Sequence, residues 1–81
     1  MLKIKDNVDL KELKKFGFKY HKEQRNQYEH YSVVVKKGWS YSMQLLIVVY
    51  CNDRNISVCD NEGQDILFDL IQADLVEKVE E

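Results

Sequence analysis

The sequence contains no proline, only three glycines and two cysteines. Without proline it offers neither a polyproline ligand nor a stiff linker between domains. Gly17, Gly38 and Gly63 stand far apart, so a glycine-rich loop that could cradle phosphate is absent. The longest apolar run is far shorter than the roughly 20 residues of a membrane span, and the N-terminal segment lacks the apolar core of a signal peptide. We therefore expect a cytoplasmic protein with no membrane partner.

The 81 residues are enough for one small domain, and we predict a single domain over residues 1–81. The composition is 44% hydrophobic and 32% charged, which is close to that of ordinary globular proteins and unlike that of disordered chains. A domain of this size has little room for a deep active-site cleft.

Two cysteines are compatible with a disulfide only if the fold brings them together. The predicted register pairs Cys51 with Ile56 and Cys59 with Val48, which places the two thiols on opposite faces of a hairpin. We expect reduced thiols, with Cys51 pointing into an apolar core that raises its pKa. Since no base is assignable to either cysteine or to any serine, we expect neither an enzyme nor a cofactor.

Seven consecutive β-favouring apolar residues, Leu45 to Cys51, predict the central strand of a sheet. The strand is predicted over Met43 to Cys51 and returns through a turn at Asn52 to Asn55 into Ile56 to Asp60. Alternation predicts an inner face formed by Leu45, Ile47, Val49, Cys51, Ile56 and Val58. The opposite face receives Leu46, Val48 and Tyr50, which would be consistent with a covered sheet or a homodimer.

The segment from Phe18 to Lys36 predicts another hairpin, which turns through Gln24 to Gln27 with cross-strand partners whose numbers sum to 51. One face pairs Phe18 with Val33, Tyr20 with Tyr31 and Lys22 with Glu29. The other face pairs Lys19 with Ser32, His21 with His30 and Glu23 with Tyr28.

Helices are predicted on either side of the hairpins. Asp9 as N-cap, Glu12 at the third position and Gly17 after the last turn predict a helix from Asp9 to Phe16 with an apolar stripe. After a loop at Asn61 to Gln64, a second helix is predicted from Asp65 to about Asp74, with a core face of Ile66, Leu67, Leu70 and Ile71.

The terminal segments complete the fold. Leu2 to Lys5 is predicted to be a short edge strand, and Leu75 to Val79 either a short strand or a frayed last turn. The predicted class is α+β: two helices on a mainly antiparallel sheet of three to five strands, in the order β-α-β-β-β-β-α(-β).

The two end segments, Leu2 to Lys19 and Asp69 to Glu81, carry a family resemblance that spans about 30 of the 81 residues. They are similar to small uncharacterised proteins of Firmicutes and of their phages or prophages. The resemblance assigns no catalytic or binding residue. It implies a phage setting, in which small proteins without enzyme signatures often bind and block a host machine such as a defence nuclease.

Charge is segregated along the chain. Residues 11–41 carry a net charge of +5 and residues 42–81 a net charge of −7. The acidic half could present a rigid negative face to a basic partner, or it could simply be the solvated side of a helix. Loop aromatics are frequent interface anchors. The candidate residues for a protein interface are Trp39, Tyr41, Asp65, Asp69, Asp74 and Glu77.

The basic half interleaves cations with aromatic rings, a composition that single-strand nucleic-acid platforms use for phosphate contact and base stacking. The candidate residues for this alternative are Lys19, Lys22, Arg25, Tyr28, Lys36 and Lys37. The chain lacks a named RNA-binding motif and is acidic overall, which argues against it.

A metal site is the sharpest local alternative. The predicted register places His21 across from His30 with Glu23 two residues along, so three potential ligands share one face. Two exposed histidines on a sheet are more often simply solvated, and no fourth ligand is implied. Taken together, the sequence predicts a non-enzymatic interaction protein that binds a host macromolecule, with single-strand nucleic-acid binding as the alternative.

Overall fold

The computed structural model describes residues 1–36 and 43–79, and in them the chain follows the predicted α+β order. A 3₁₀ helix spans Leu10–Phe16 and the α-helix α1 spans Asn61–Gln72. The strands are β1 Leu2–Ile4, β2 Lys19–His21, β3 His30–Lys36, β4 Met43–Tyr50, β5 Ile56–Val58 and β6 Val76–Lys78. One antiparallel sheet has the order β2-β3-β4-β5, and β1 and β6 form a second, two-stranded sheet.

The first hairpin has the predicted register. Lys19 pairs with Ser32, Tyr20 with Tyr31 and His21 with His30, and an isolated bridge joins Gln24 to Gln27. Strand β2 stops at His21, so the two outer pairs expected at Lys22 and Glu23 do not extend the ladder. Phe18 and Tyr31 point into the core, as predicted, because one face of this sheet is buried.

The predicted register of the second hairpin was wrong by two residues. Ile47 pairs with Val58 and Val49 with Ile56, so Cys51 lies in a four-residue loop instead of the strand. The Arg54 amide donates to the Tyr50 carbonyl at 2.8 Å, with Arg54 in the left-handed region at φ 64°. A shift of two residues preserves the faces of a strand, so the burial pattern of β5 is unaffected.

The Arg54 side chain holds this loop in place. Its guanidinium donates to the carbonyl oxygens of Lys5 and Val8 at 2.7 and 2.6 Å. These two carbonyls lie between β1 and the 3₁₀ helix. The long side chain of Arg54 therefore ties the loop to the N-terminal segment, an interaction that local turn propensities could not reveal.

A β-bulge in β4 overturns the predicted faces of Leu45 and Leu46. Val33 pairs with Ile47 while Val34 pairs with Leu45, so Leu46 is the extra residue of β4. Leu46 consequently turns into the core, and Leu45 lies on the opposite face with 37% of its surface exposed. Leu46 and Val48 are both buried within the chain, so neither is exposed on the face where simple alternation placed them.

The first helix is capped as predicted but is of the 3₁₀ type. The Asp9 carboxylate accepts from the Lys11 amide, and Gly17 takes the left-handed conformation at φ 89°. In a 3₁₀ helix, side chains three residues apart eclipse, so the spacing of Leu10, Leu13 and Phe16 gives a single apolar stripe. The Glu12 carboxylate pairs with Lys15.

Helix α1 begins four residues earlier than predicted. Asp60 is the N-cap, its carboxylate accepts from the Glu62 amide, and residues 61–64 are helical instead of a loop. The helix ends where predicted, in a Schellman motif with Asp74 left-handed at φ 61° and the Leu75 amide bonded to the Leu70 carbonyl. Ile71, predicted to face the core, is 47% exposed.

The C-terminal segment left open by the sequence is a strand. Strand β6 pairs with β1, with Ile4 opposite Val76. Lys5 pairs with Asp74 at 2.7 Å and Lys3 with Glu77 at 3.5 Å. Strands β1 and β6, which are far apart in sequence, therefore lie side by side.

The core lies between the inner face of the four-stranded sheet and the other elements. Its buried side chains come from β1, the 3₁₀ helix, β3, β4, α1 and the residue before β2: Ile4, Leu13, Phe18, Tyr31, Leu46, Ile47, Val49 and Leu70. Helix α1 packs on β4 and β5 with Gly63 buried against the bulge.

We predict that Gly63→Ala destabilises the protein. A Cβ at this position would lie 2.1 Å from the carbonyl oxygen of Leu46, a backbone atom that cannot rotate away. We expect a loss of at least about 2 kcal/mol in the free energy of unfolding and a drop in Tm of roughly 10 °C. Thermal denaturation followed by circular dichroism measures it.

Gly17→Ala is the matched control. Gly17 has free space around it but a positive φ, so we expect only the conformational cost of about 1 kcal/mol. In a helix with free space, replacing glycine with alanine raises the Tm. An unchanged or higher Tm for Gly63→Ala would therefore contradict the close contact with Leu46.

Candidate functional site

The outer face of the four-stranded sheet, turned away from the core, carries both histidines of the chain. Side chains of β2, β3 and β4 form this outer face: Lys19, His21, His30, Ser32, Val34, Met43, Leu45, Val48 and Tyr50. Ser32 and Val48 at its centre are buried, while Lys19, His21 and Met43 are exposed. This face therefore offers polar and apolar groups side by side.

The two histidines of the outer face stack on each other. The rings of His21 and His30 lie 4.9 Å apart with an angle of 16° between their planes, and His30 is 6.4 Å from the ring of Tyr50. Nδ1 of His30 lies 2.7 Å from the Tyr28 carbonyl oxygen, which can only accept. Nδ1 is therefore the donor, and Nε2 is the nitrogen left for another interaction.

The third metal candidate, Glu23, does not join the histidine pair. Glu23 lines a surface depression with Glu29 and Cys51, because the chain leaves the strand after His21 and the alternation ends there. Within residues 1–36 and 43–79, no group of three His, Cys, Asp or Glu side chains is arranged to hold a metal ion.

A cavity of about 200 Å³ opens on the outer face beside the turn of the first hairpin. Its floor is apolar, from Leu45 and Val48, and its walls carry the rings of Tyr28, His30 and Tyr50. Two amide side chains complete the lining, Asn26 and Gln27. This cavity could not be predicted from the sequence, because the bulge that turns Leu45 outward is not visible in the alternation.

The basic candidates among the described residues lie on the outer face and in the connection between β2 and β3, and none of them lines this cavity. Lys19 lies on the outer face, while Lys22 and Arg25 lie exposed in the connection between β2 and β3. Tyr28 is 67% exposed at the cavity itself. Lys36 is the last residue of β3. Lys37, together with Trp39 and Tyr41 from the predicted protein interface, lies outside the described residues.

A second surface lies on the solvent side of α1. Phe68 is 58% exposed and Ile71 47% exposed, although most apolar residues of this helix face the core. Asp65 and Asp69 flank Phe68 on the same side, and neither forms an ion pair with any residue that the structure describes. The helical wheel could have found Phe68, because a 100° step places it opposite Leu70 and Gly63.

The remaining acidic candidates are engaged elsewhere. Asp74 and Glu77 pair with Lys5 and Lys3, so they hold the chain ends together. The hydrogen bond from Lys3 to Asp6 is the main cause that raises the pKa of Lys3. The predicted acidic set is thus divided between an ion-paired sheet and the exposed face of α1.

Glu29 links two groups with altered acidity. Its carboxylate accepts a hydrogen bond from the Tyr20 hydroxyl at 2.5 Å, and this bond raises the pKa of Tyr20 to about 12. Burial, followed by a hydrogen bond to Glu29, raises the pKa of the Cys51 thiol to about 11. Both cysteines are free thiols. At neutral pH Cys51 is therefore almost entirely a neutral thiol, which is a poor nucleophile.

In comparisons with protein-family models, with curated proteins and with solved structures, nothing matched the chain. In the part of the chain that the structure describes, no helix is long and apolar enough to cross a membrane.

We predict that Glu29→Gln lowers the pKa of Tyr20 from about 12 toward 10. The folded pKa lies above the ordinary value, so the neutral phenol stabilises the fold fully below about pH 10, and this contribution is lost as the pH rises through 12. The absorbance of tyrosinate during an alkaline titration measures this pKa, and the Tyr20→Phe variant identifies which titration step belongs to Tyr20. An unchanged titration in Glu29→Gln would contradict the role of this hydrogen bond.

We predict that the two thiols react at very different rates. At pH 8 a thiol with a pKa of about 11 is ionised in roughly one molecule in a thousand, so Cys51 should react slowly with a disulfide reagent in the folded protein. Exposed Cys59 should react first. Cys59→Ser should therefore abolish the fast phase, whereas two fast thiols in the folded wild type would contradict the shielding of Cys51.

Proposed function

We propose that the chain is a non-enzymatic interaction protein that binds another protein through the exposed face of α1. The observation that carries this proposal is Phe68, which projects into solvent on a helix whose charged residues are all acidic. Large exposed aromatic side chains are enriched at protein interfaces because their burial on binding removes much apolar surface from water.

The contact chemistry defines the kind of partner. Phe68 and Ile71 form an apolar ridge, and Asp65 and Asp69 lie beside it without an ion pair to any cation of residues 1–36 and 43–79. A complementary surface has an apolar depression bordered by lysine or arginine. The segment from residue 60 to residue 77 contains no lysine or arginine, which supports a basic partner.

The resemblance of the two end segments to proteins of Firmicutes and their phages supports a bacterial host protein as the target. A host nuclease fits the required chemistry, since nucleic-acid enzymes carry basic grooves that an acidic protein could occupy. Binding through α1 would block such a groove without any chemical step in this chain.

We predict that Phe68→Ala weakens partner binding by about 30-fold. Burial of a phenylalanine side chain contributes roughly 1.5–3 kcal/mol, which corresponds to about a tenfold to 150-fold change in affinity. Because Phe68 is exposed in the free protein, the Tm should not change. Tagged protein captures the partner from nuclease-treated host lysate, and calorimetry with the purified partner then measures Kd.

The control is Tyr28→Ala, which removes an equally exposed ring from the outer face of the sheet. The proposal requires that Tyr28→Ala binds like the wild type and that Asp69→Asn reduces binding more at low salt than at high salt. Equal capture by wild type and Phe68→Ala, or capture only of nuclease-sensitive material, would rule it out.

A further inference from the structure

The cavity beside the first hairpin has the lining of a site for a flat polar ring. Its volume of about 200 Å³ is below the roughly 300–1,000 Å³ of pockets for drug-sized ligands, so it has room for one small ring system. Aromatic walls, an apolar floor and two amide side chains meet there, and none of the lining residues that the structure describes is acidic. A charged or purely aliphatic ligand would leave part of this lining unused.

We infer that this cavity binds a nucleobase, with the attached phosphate directed toward the cations Lys22 and Arg25 of the connection between β2 and β3. The site is separate from α1, so the inference goes beyond the protein-binding function proposed there. The ligand class is a base with a 5′ or 3′ phosphate, supplied either by a free nucleotide or by single-stranded nucleic acid.

The aromatic walls supply the stacking surface. The backbone carbonyl of Tyr28 accepts from Nδ1 of His30 at 2.7 Å, which ties the backbone of Tyr28 to the start of β3, while its ring remains 67% exposed. The ring is therefore open to a stacking ligand. Stacking between a base and such a ring tolerates all four bases, because every base has a π-face.

The polar groups supply contacts to the edge of the base. The amide side chains of Asn26 and Gln27 each carry both donors and an acceptor, and neither is hydrogen-bonded within the described part of the chain. The tautomer of His30 leaves Nε2 as an acceptor when the ring is neutral. Donors and acceptors at one apolar pocket match the Watson–Crick edge of a base.

Two cations near the cavity are available to a phosphate. Arg25 lines the adjoining depression with Asn26, Gln27 and Tyr28, and Lys22 lies in the same connection. Neither cation forms an ion pair with the described residues. Glu23 is the acid that shares this depression, so its charge opposes an anion there.

Single-stranded nucleic acid has a further contact available. Lys19 and His21 line a second cavity on the same outer face, next to the stacked pair of His21 and His30. A strand whose base occupies the first cavity could continue across this pair. A free nucleotide would gain nothing from Lys19.

The test is a titration of the full chain with the four nucleoside monophosphates and with short homopolymeric single strands, followed by amide chemical shifts and by calorimetry. We expect saturable shifts centred on residues 26–30, 45, 48 and 50. Tyr28→Ala should weaken binding by about 5- to 150-fold, the range for loss of one stacked base. Gln27→Ala, which removes an edge contact and no stacking surface, should weaken it less and alter the preference among bases.

Charge variants and a matched control complete the test. Arg25→Gln should weaken binding and reduce its salt dependence, whereas Glu23→Gln should strengthen it. Phe68→Ala should leave nucleotide binding unchanged, so failure here and failure of the α1 interface are distinguishable. If the protein binds oligonucleotides strongly and mononucleotides weakly, and Tyr28→Ala weakens both, the site is assigned to single-stranded nucleic acid. If it binds mononucleotides and oligonucleotides with comparable affinity, the site is assigned to free nucleotides. No saturable binding of any probe at millimolar concentration, or binding that Tyr28→Ala in a folded protein leaves unchanged, overturns the inference.

Discussion

The carbonyl oxygen of Leu46 is the point on which the arrangement of β4, β5 and α1 depends. It accepts from the Cys59 amide at 2.8 Å, which extends the β4–β5 pairing to the start of α1, and it leaves no space for a Cβ at Gly63. The bulge that presents this carbonyl also turns Leu46 into the core and Leu45 out of it. One extra residue in a strand thus sets both the packing of α1 and the floor of the outer cavity.

The two candidate surfaces follow from this arrangement and lie on different layers. Helix α1 covers the inner face of the sheet with Gly63 and Leu70, which leaves Phe68 and the acids Asp65 and Asp69 toward solvent. The outer face carries the histidine pair and the cavity beside Tyr28. The acidic residues of α1 therefore lie on one layer, while the first hairpin on the other layer carries Lys19, Lys22 and Arg25 together with Glu23 and Glu29.

Much of the fold could be predicted because its determinants are local. The first hairpin register follows from complementary cross-strand pairs, and the caps at Asp9, Gly17 and Asp74 follow from preferences of single residues for extended or left-handed backbone. The candidate sites were harder. The grouping of His21 with His30 was found correctly, but Glu23 was wrongly placed with them, because strand alternation applies only while the ladder continues.

The sequence by itself determined the α+β order, the C-terminal ends of the 3₁₀ helix and of α1, and the alternation of the first hairpin. Each of these depends on neighbours within a few residues. Only the tertiary structure decided the bulge at Leu46, the register of the second hairpin and the early start of α1. Each of these depends on partners distant in sequence: the carbonyls of Lys5 and Val8 for Arg54, Leu46 for Gly63 and Gln44 for the N-cap Asp60. Such contacts override local propensity because, in a packed fold, polar groups must find hydrogen-bond partners and side chains must find space wherever the fold supplies them.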